Sequence, residues 1–190
     1  MSTANTISLL RKVIKDPNCE RMNMSTIKGF LGELIVKERL EDAGFEVYHR
    51  GNQSGYDLSF WVDDQEFKID VKTSTLKDEL SCDRLHWGWA LVHSNKKNAV
   101  SATHFICVGL DENFEARRFI IIPSEWAAKF PEGIGQFNKV KHALCVFQRA
   151  YTPENLTSQK MAYIDKCQKW LKHKPIRQLR KGQSFRNIFC

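Results

Sequence analysis

Asp57 and Asp70 lie in two alternating runs, residues 57–62 and 66–74, which are joined by the polar turn Asp63-Asp64. Because successive side chains of a β-strand point to opposite faces, each run has one apolar and one polar face. Matching the two apolar faces in an antiparallel hairpin sets Asp57 directly opposite Asp70. The same register predicts two apolar pairs, Leu58 with Ile69 and Phe60 with Phe67.

Carboxylates opposed in this way have Cβ atoms about 5 Å apart and repel each other. A hard divalent cation would offset the repulsion, because Mg²⁺ binds through a few carboxylates together with water and phosphate oxygens. Lys72 follows Asp70 on the same strand face, where an ammonium can orient the water that attacks a phosphodiester, or help to deprotonate it. This combination predicts metal-assisted phosphodiester hydrolysis with Mg²⁺ as the cofactor and Mn²⁺ as its substitute.

A third carboxylate, Glu33, lies in the segment 25–43, where apolar residues recur at helical spacing and Gly44 follows as a stop signal. The apolar neighbours of Glu33 place it at the edge of the buried helix face. A carboxylate there can complete the metal site or support its ligands, and an ordinary boundary glutamate fits the spacing equally well. We include Glu33 among the predicted catalytic residues.

The rest of the chain predicts an α/β protein. Aromatic and β-branched runs predict further strands near residues 45–48, 87–92, 104–109 and 119–122, and a closing helix is predicted over 153–173. A chain of 190 residues forms one domain by default. We expect that domain over residues 1–174, followed by a basic C-terminal tail over 175–190.

The formal net charge is +7, and the positive charge is concentrated at one end of the sequence. Residues 160–190 hold nine Lys or Arg against one acidic residue. Such a segment indicates a polyanionic partner, most commonly nucleic acid, although a basic tail that only improves solubility is the simpler alternative. The predicted nucleic-acid contacts are Arg50, Asn52, Gln53, Lys172, Lys174, Arg177, Arg180 and Lys181.

These residues together resemble the core of the PD-(D/E)XK nuclease superfamily, which includes type II restriction, homing and Holliday junction-resolving endonucleases. The resemblance covers about residues 25–75. It is carried by four motifs, Gly29-x-x-Gly32-Glu33, Gly44-Phe45-x-Val47, Ser54-Gly55-Tyr56-Asp57-Leu58 and Ile69-Asp70-Val71-Lys72-Thr73-Ser74. The family's proline before the first aspartate is replaced here by Tyr56.

The resemblance implies a restriction endonuclease-like fold, a mixed sheet flanked by helices in the order α-β-β-β-α-β. It implies that Asp57 and Asp70 bind the metal with help from the Val71 carbonyl. In the same comparison Lys72 matches the catalytic lysine, and Glu33 matches a helical glutamate of several branches.

The resulting hypothesis is a Mg²⁺-dependent DNA endonuclease, acting on specific duplex sites as restriction and homing enzymes do. A resolvase of Holliday junctions or other branched DNA is one alternative, and a nucleic-acid-binding module with a nuclease-like fold but no catalysis is another. RNA stays open as the substrate. Cutting both strands of a duplex requires two active sites, so we expect a homodimer.

Several other classes of protein are disfavoured. The six cysteines include no close pair of the kind that zinc sites use, and residues 1–10 lack the basic stretch followed by an apolar one that is typical of a secretory signal. We therefore expect reduced thiols and a cytoplasmic location. No run approaches the roughly 18 to 20 apolar residues of a membrane helix, so no membrane partner is expected.

Overall fold

The computed structural model describes residues 2–19, 22–50, 55–79, 84–92, 101–127, 142–147, 169, 172, 178–180 and 183–189. The helices are α1 (Thr3–Lys15), α2 (Met24–Asp42), α3 (Ser124–Ala127) and α4 (Phe185–Phe189), with a 3-10 turn at Pro17–Cys19. None of these described helices combines the length and the apolar character that crossing a bilayer requires.

The strands are β1 (Val47–His49), β2 (Leu58–Val62), β3 (Gln65–Thr75), β4 (Lys77–Glu79), β5 (Arg84–Val92), β6 (His104–Leu110), β7 (Ala116–Pro123), β8 (His142–Phe147), β9 (Gln178–Arg180) and β10 (Gln183–Ser184). Five of them form a central sheet in the order β1-β2-β3-β6-β7. In this sheet β3 and β6 run parallel and the other neighbours antiparallel, so the sheet is mixed. A three-stranded sheet, β4-β5-β8, and the pair β9-β10 complete the described strands.

The predicted class, a mixed sheet with flanking helices, is confirmed, but the order α-β-β-β-α-β is not. The prediction has a helix between the third strand and the next strand of the sheet. The described residues of the connection from β3 to β6 instead form the strands β4 and β5. Parallel neighbours such as β3 and β6 require a long crossover connection, and β4 and β5 form part of it.

The β2–β3 hairpin has the predicted register. Leu58 pairs with Ile69, and Phe60 pairs with Phe67. The turn residue Asp63 has a φ of 53°, a left-handed conformation that Asp tolerates better than most residues. Leu58, Phe60, Val62, Phe67, Ile69 and Val71 are buried because this register turns their side chains to one face of the hairpin.

Helix α2 packs on β3 and β1 through the apolar side chains of its inner face, Leu31, Leu34, Ile35, Val36 and Leu40. Asn23 caps its start by accepting a hydrogen bond from Thr26 N, and Gly44 follows its end with a φ of 87°. At Gly32 the helix approaches β3 closely, because an added Cβ would overlap Thr73 Oγ1 and lie 3.0 Å from Thr73 Cβ. A glycine at this position therefore sets the height of α2 above the sheet.

On the opposite face of the sheet, β5 covers part of β3 and β6. Trp87 and Trp89 are buried, with 3% and 1% of their surfaces exposed. Their indole N–H groups donate to the backbone oxygens of Leu110 and Val108 at 2.9 and 3.0 Å. Gly109 leaves the space that Trp87 needs, since an added Cβ would come within 3.0 Å of the indole. These two tryptophans belong to the core.

The end of the described chain differs from the predicted basic tail. Phe185 and Phe189 of α4 are buried in the main core, each with 4% exposure. The Phe185 ring lies 5.0 Å from the His104 ring and 6.0 Å from the Phe67 ring. The prediction of a tail over 175–190 therefore does not hold for its last turn, which is part of the folded domain. Of the predicted helix over 153–173, the described residues include Lys169 and Lys172, which are helical and exposed.

Candidate active site

The site lies where the β2–β3 hairpin opens. β2 begins at Leu58 and pairs with β3 up to Ile69, whereas β6 pairs with β3 from Ile69 to Thr75. Beyond Ile69, therefore, the described strands of this sheet pair with β3 on its β6 side only. Backbone groups on its open edge need another partner, because an unpaired buried N–H is costly.

Asp57 supplies that partner. Its Oδ2 accepts a hydrogen bond of 2.7 Å from Val71 N, and its own backbone N donates to Ile69 O at 2.8 Å. The backbone oxygen of Asp57 accepts from Arg50 N, also at 2.8 Å. These three bonds fix Asp57 at the fork, one residue before β2 and beside the segment of β3 that contains Asp70.

The pKa of Asp57 is raised above the ordinary value of an aspartate, and burial is the main cause. The hydrogen bond from Val71 N opposes this shift, and the negative charge of Glu33 adds to it. Lys72 and His49 lower the pKa by smaller amounts. Asp57 is thus a carboxylate whose ionised form would be stabilised by further positive charge.

Asp70 and Lys72 form an ion pair at the predicted positions. Lys72 Nζ lies 2.6 Å from Asp70 Oδ1, and the two side chains are 26% and 17% exposed. Both project from the same face of β3, as the spacing of two residues requires. The lysine therefore lies next to both acids, paired with Asp70 and within electrostatic reach of Asp57.

Glu33 reaches the site from α2 and is held by a residue that the sequence did not single out. His49 Nε2 lies 2.6 Å from Glu33 Oε2, and the edge of the Phe30 ring packs against the imidazole at 5.5 Å. His49 is the last residue of β1, opposite Leu58, so it is adjacent to Asp57. No sequence signal sets the β1–β2 register, because a loop of eight residues separates the two strands.

The predicted nucleic-acid contacts are described only in part. Arg50 is exposed, donates to Ser59 Oγ at 3.1 Å and lies over the Tyr48 ring at 5.5 Å. Lys172 is exposed, and Arg180 lies in β9. The other predicted contacts lie outside the described residues, namely Asn52, Gln53, Lys174, Arg177 and Lys181.

The donor atoms at the fork are compatible with a hard cation. Within the described part of the chain, no group of three or more His, Cys, Asp and Glu side chains is close enough to share a metal ion. Mg²⁺ does not need such a group, because it uses one or two carboxylates and completes its shell with water and phosphate oxygens. The partial burial of Asp57 beside Asp70 fits that requirement.

Comparison with solved structures gives a weak structural similarity. No family model matches the chain, and no curated protein matches its sequence. Among solved structures, the bacterial homing endonuclease I-Ssp6803I is similar, with 16% sequence identity and a TM-score of 0.47. The alignment covers 80% of this chain and 94% of that one.

Proposed function

We propose that this protein is a Mg²⁺-dependent endonuclease that hydrolyses DNA phosphodiesters. The proposal depends on one observation, that Asp57, Asp70 and Lys72 meet at the fork between β2 and β3 in the register expected from the sequence. An acid at the start of one strand and an acid-lysine pair on its neighbour provide both metal ligands and a cation for the reacting phosphate.

In this proposal Asp57 and Asp70 hold the metal, and the Val71 carbonyl assists. The bound ion would polarise the phosphodiester and lower the pKa of an attacking water. Asp57 suits this role for two reasons. The Val71 N–H fixes the position of its Oδ2. Partial burial disfavours its ionised form, which a bound cation would stabilise. Asp70 lies on β3, whose pairing with β6 fixes the position of its backbone.

Lys72 acts on the reacting groups. Its ammonium lies 2.6 Å from Asp70, so it sits at the edge of the proposed metal site. There it orients the attacking water and stabilises the negative charge that develops on the phosphate oxygens. Glu33 is held by His49 and borders the same space, where its carboxylate would accept a hydrogen bond from a water in the site.

The substrate is held by phosphate contacts around this site. We assign them to Arg50 and to the other polar and basic residues predicted from the sequence, Asn52, Gln53, Lys172, Lys174, Arg177, Arg180 and Lys181. Binding should then weaken steeply as salt is added, because each phosphate contact releases a counterion. Cutting both strands would use two copies of the site in a homodimer, which gel filtration with DNA would detect as a mass above that of one chain.

The test is cleavage of plasmid DNA and of a synthetic four-way junction, in Mg²⁺ or in EDTA. We expect cleavage in Mg²⁺ and none in EDTA. Lys72→Ala should lower the cleavage rate by at least about 100-fold. Lys12→Ala is the matched control, because it removes one exposed positive charge from α1, far from the fork in sequence. Discrete plasmid fragments would indicate site-specific cutting, and resolved junctions would indicate a resolvase.

Two outcomes would count against the proposal. Equal activity in Lys72→Ala and the wild type would exclude this site as the catalytic centre. Salt-sensitive binding without cleavage of either DNA would favour the binding module that the sequence left as an alternative.

A further inference from the structure

Two large aromatic side chains of the hairpin and its neighbouring strand β1 are exposed. Among the described residues, Trp61 is 50% exposed and Tyr48 is 41% exposed. Tyr48 pairs with Ser59, and Ser59 pairs with Lys68, so these three residues form one row across β1, β2 and β3. Trp61 lies in the next row, opposite Glu66.

This row lies on the same sheet face as the catalytic candidates. Along β3, residues 66, 68, 70 and 72 alternate with the buried set and project to one side. Since directly paired residues share a face, Trp61 and Tyr48 project to the side that holds Asp70 and Lys72. At the rise of a β-strand, four residues separate Glu66 from Asp70 by roughly 13 Å.

Two cations lie over tyrosine rings in this region. The Arg50 guanidinium lies 5.5 Å from the centre of the Tyr48 ring, and Lys68 Nζ lies 5.5 Å from the centre of the Tyr56 ring. Among the described residues, the carboxylates nearby are already engaged, Glu66 by Lys68 and Asp70 by Lys72. Arg50 has no carboxylate within 4.0 Å in the described part of the chain, so its positive charge is available to a ligand.

We propose that this face, named the aromatic platform and formed by Tyr48, Arg50, Trp61 and Lys68, binds unpaired bases of a DNA strand. Bases stack on exposed aromatic rings whatever their sequence, and adjacent cations hold the phosphates between them. Pairs of ring and cation are what such a ligand needs, whereas a protein partner would favour a continuous apolar patch. In a duplex, the stacking of neighbouring base pairs covers the base faces, so a ligand of this kind must contain an unwound or branched segment.

The location of the platform beside the scissile phosphate rests on the proposed function, but the binding itself does not. If both hold, the preferred substrate is DNA with unpaired bases next to the cut. This narrows the substrate class from duplex sites toward branched or locally opened DNA.

The test measures binding of the full chain, in EDTA, to two labelled oligonucleotides by fluorescence anisotropy. One is a duplex, and the other is the same duplex with a short splayed end. We expect tighter binding to the splayed DNA, and a loss of about 5- to 150-fold for that DNA in Trp61→Ala. Trp61→Phe should keep most of the affinity, because a phenyl ring still stacks.

Leu9→Ala is the matched control, since it removes a side chain that is also 50% exposed but lies on α1. It should bind both DNAs as the wild type does. Arg50→Ala should lower the dependence of log affinity on log salt by about one unit, whereas Trp61→Ala should leave that slope unchanged.

Equal binding of the two DNAs by the wild type would overturn the proposal, as would unchanged affinity in Trp61→Ala. Cleavage that needs Lys72 together with unchanged binding in Trp61→Ala would reject the platform and keep the endonuclease. Loss of splayed-DNA binding in Trp61→Ala without any cleavage by the wild type would keep the platform and reject the endonuclease.

Discussion

The backbone N–H of Val71 donates to the carboxylate of Asp57 at 2.7 Å, across the point where the β2–β3 ladder has already ended. The hydrogen bond continues the strand pairing with a side chain instead of a backbone oxygen. The position of this acid is thus tied to the backbone of β3, the strand that also presents Asp70 and Lys72. A small shift of the hairpin would move all three groups together.

The charge of Asp57 should cost stability in the absence of metal. Its pKa is raised in the folded state, chiefly by burial, so the folded protein holds the proton more tightly than the unfolded chain. The free energy of unfolding should therefore fall as the pH rises from the ordinary pKa of an aspartate through the raised one. Urea unfolding at several pH values should show this fall in the wild type and a smaller one in Asp57→Asn, which does not titrate.

Two replacements of Asp57 distinguish its proposed role as a metal ligand from its structural role as the hydrogen-bond acceptor of Val71 N. Asp57→Asn keeps an oxygen that can accept from Val71 N, so we expect a folded protein that has lost cleavage. Asp57→Ala leaves that N–H without an acceptor and should destabilise the fold by about 1–3 kcal/mol. Comparable unfolding midpoints for the Asn and Ala variants would show that the hydrogen bond contributes nothing.

Mg²⁺ should stabilise the protein without any substrate. A ligand that binds the folded state alone adds about 2.7 kcal/mol at one hundred times its dissociation constant. We expect a higher thermal midpoint in Mg²⁺ for the wild type, and no rise for Asp70→Asn. Asp64→Asn is the control, because it removes an exposed carboxylate from the turn of the same hairpin and should respond as the wild type does. A rise that survives in Asp70→Asn would place the metal elsewhere.

His49 should act by positioning Glu33. Its imidazole contacts Oε2 of Glu33 at 2.6 Å, so His49→Ala leaves that carboxylate unsupported. Residues that orient a metal-site carboxylate typically contribute about 10- to 100-fold, and we expect a loss of that size in kcat with little change in KM. His49→Gln keeps a donor and should recover part of kcat. A larger loss in His49→Gln than in His49→Ala would contradict this role.

Two glycines of α2 should respond in opposite ways to alanine. An added Cβ at Gly32 would overlap Thr73, whereas no atom lies within 4 Å of one at Gly29. Gly32→Ala should therefore destabilise the protein by about 1–3 kcal/mol, and Gly29→Ala should stabilise it by about 0.5–1 kcal/mol. Urea unfolding measures both. Adding Thr73→Ala to Gly32→Ala should recover part of the loss, and failure to do so would exclude the overlap as its cause.

Phe185 should be needed for the fold in spite of its place in a basic segment. Phe185 has 4% exposure and packs among three other aromatic rings of the core. Phe185→Ala should lower the free energy of unfolding by about 3–5 kcal/mol, the usual result of removing a buried phenyl ring. Leu9→Ala, at 50% exposure, should change it by less than about 0.5 kcal/mol. Similar stability of both variants would exclude α4 from the core.

The parts of the fold and of the site that could be predicted from sequence are those in which apolar residues repeat with a regular period. The strand period of two restricts the β2–β3 hairpin to a loop of even length, and with the two-residue turn Asp63-Asp64 it brings Asp57 to the β3 segment containing Asp70 and Lys72. The helical period likewise predicted α2 to within a residue at each end, as Met24–Asp42. In both elements the apolar residues face a single surface.

Three features were not predicted from the sequence. Helix α1 has apolar residues at helical spacing, since Ile7 is buried and Leu10 and Ile14 pack partly buried against the core, so its pattern could have predicted it. The basic residues around α4 concealed the two phenylalanines that anchor it. The contact of His49 with Glu33 depends on where a loop returns the chain, which composition does not determine.

Ile7 and Phe189 belong to one core cluster although almost the whole sequence separates them. During synthesis, the hydrophobic surface of the central sheet is not fully covered until α4 has left the ribosome. The domain should therefore complete its folding after translation has passed residue 189, and nascent chains shorter than this should depend on chaperones that shield exposed apolar surface.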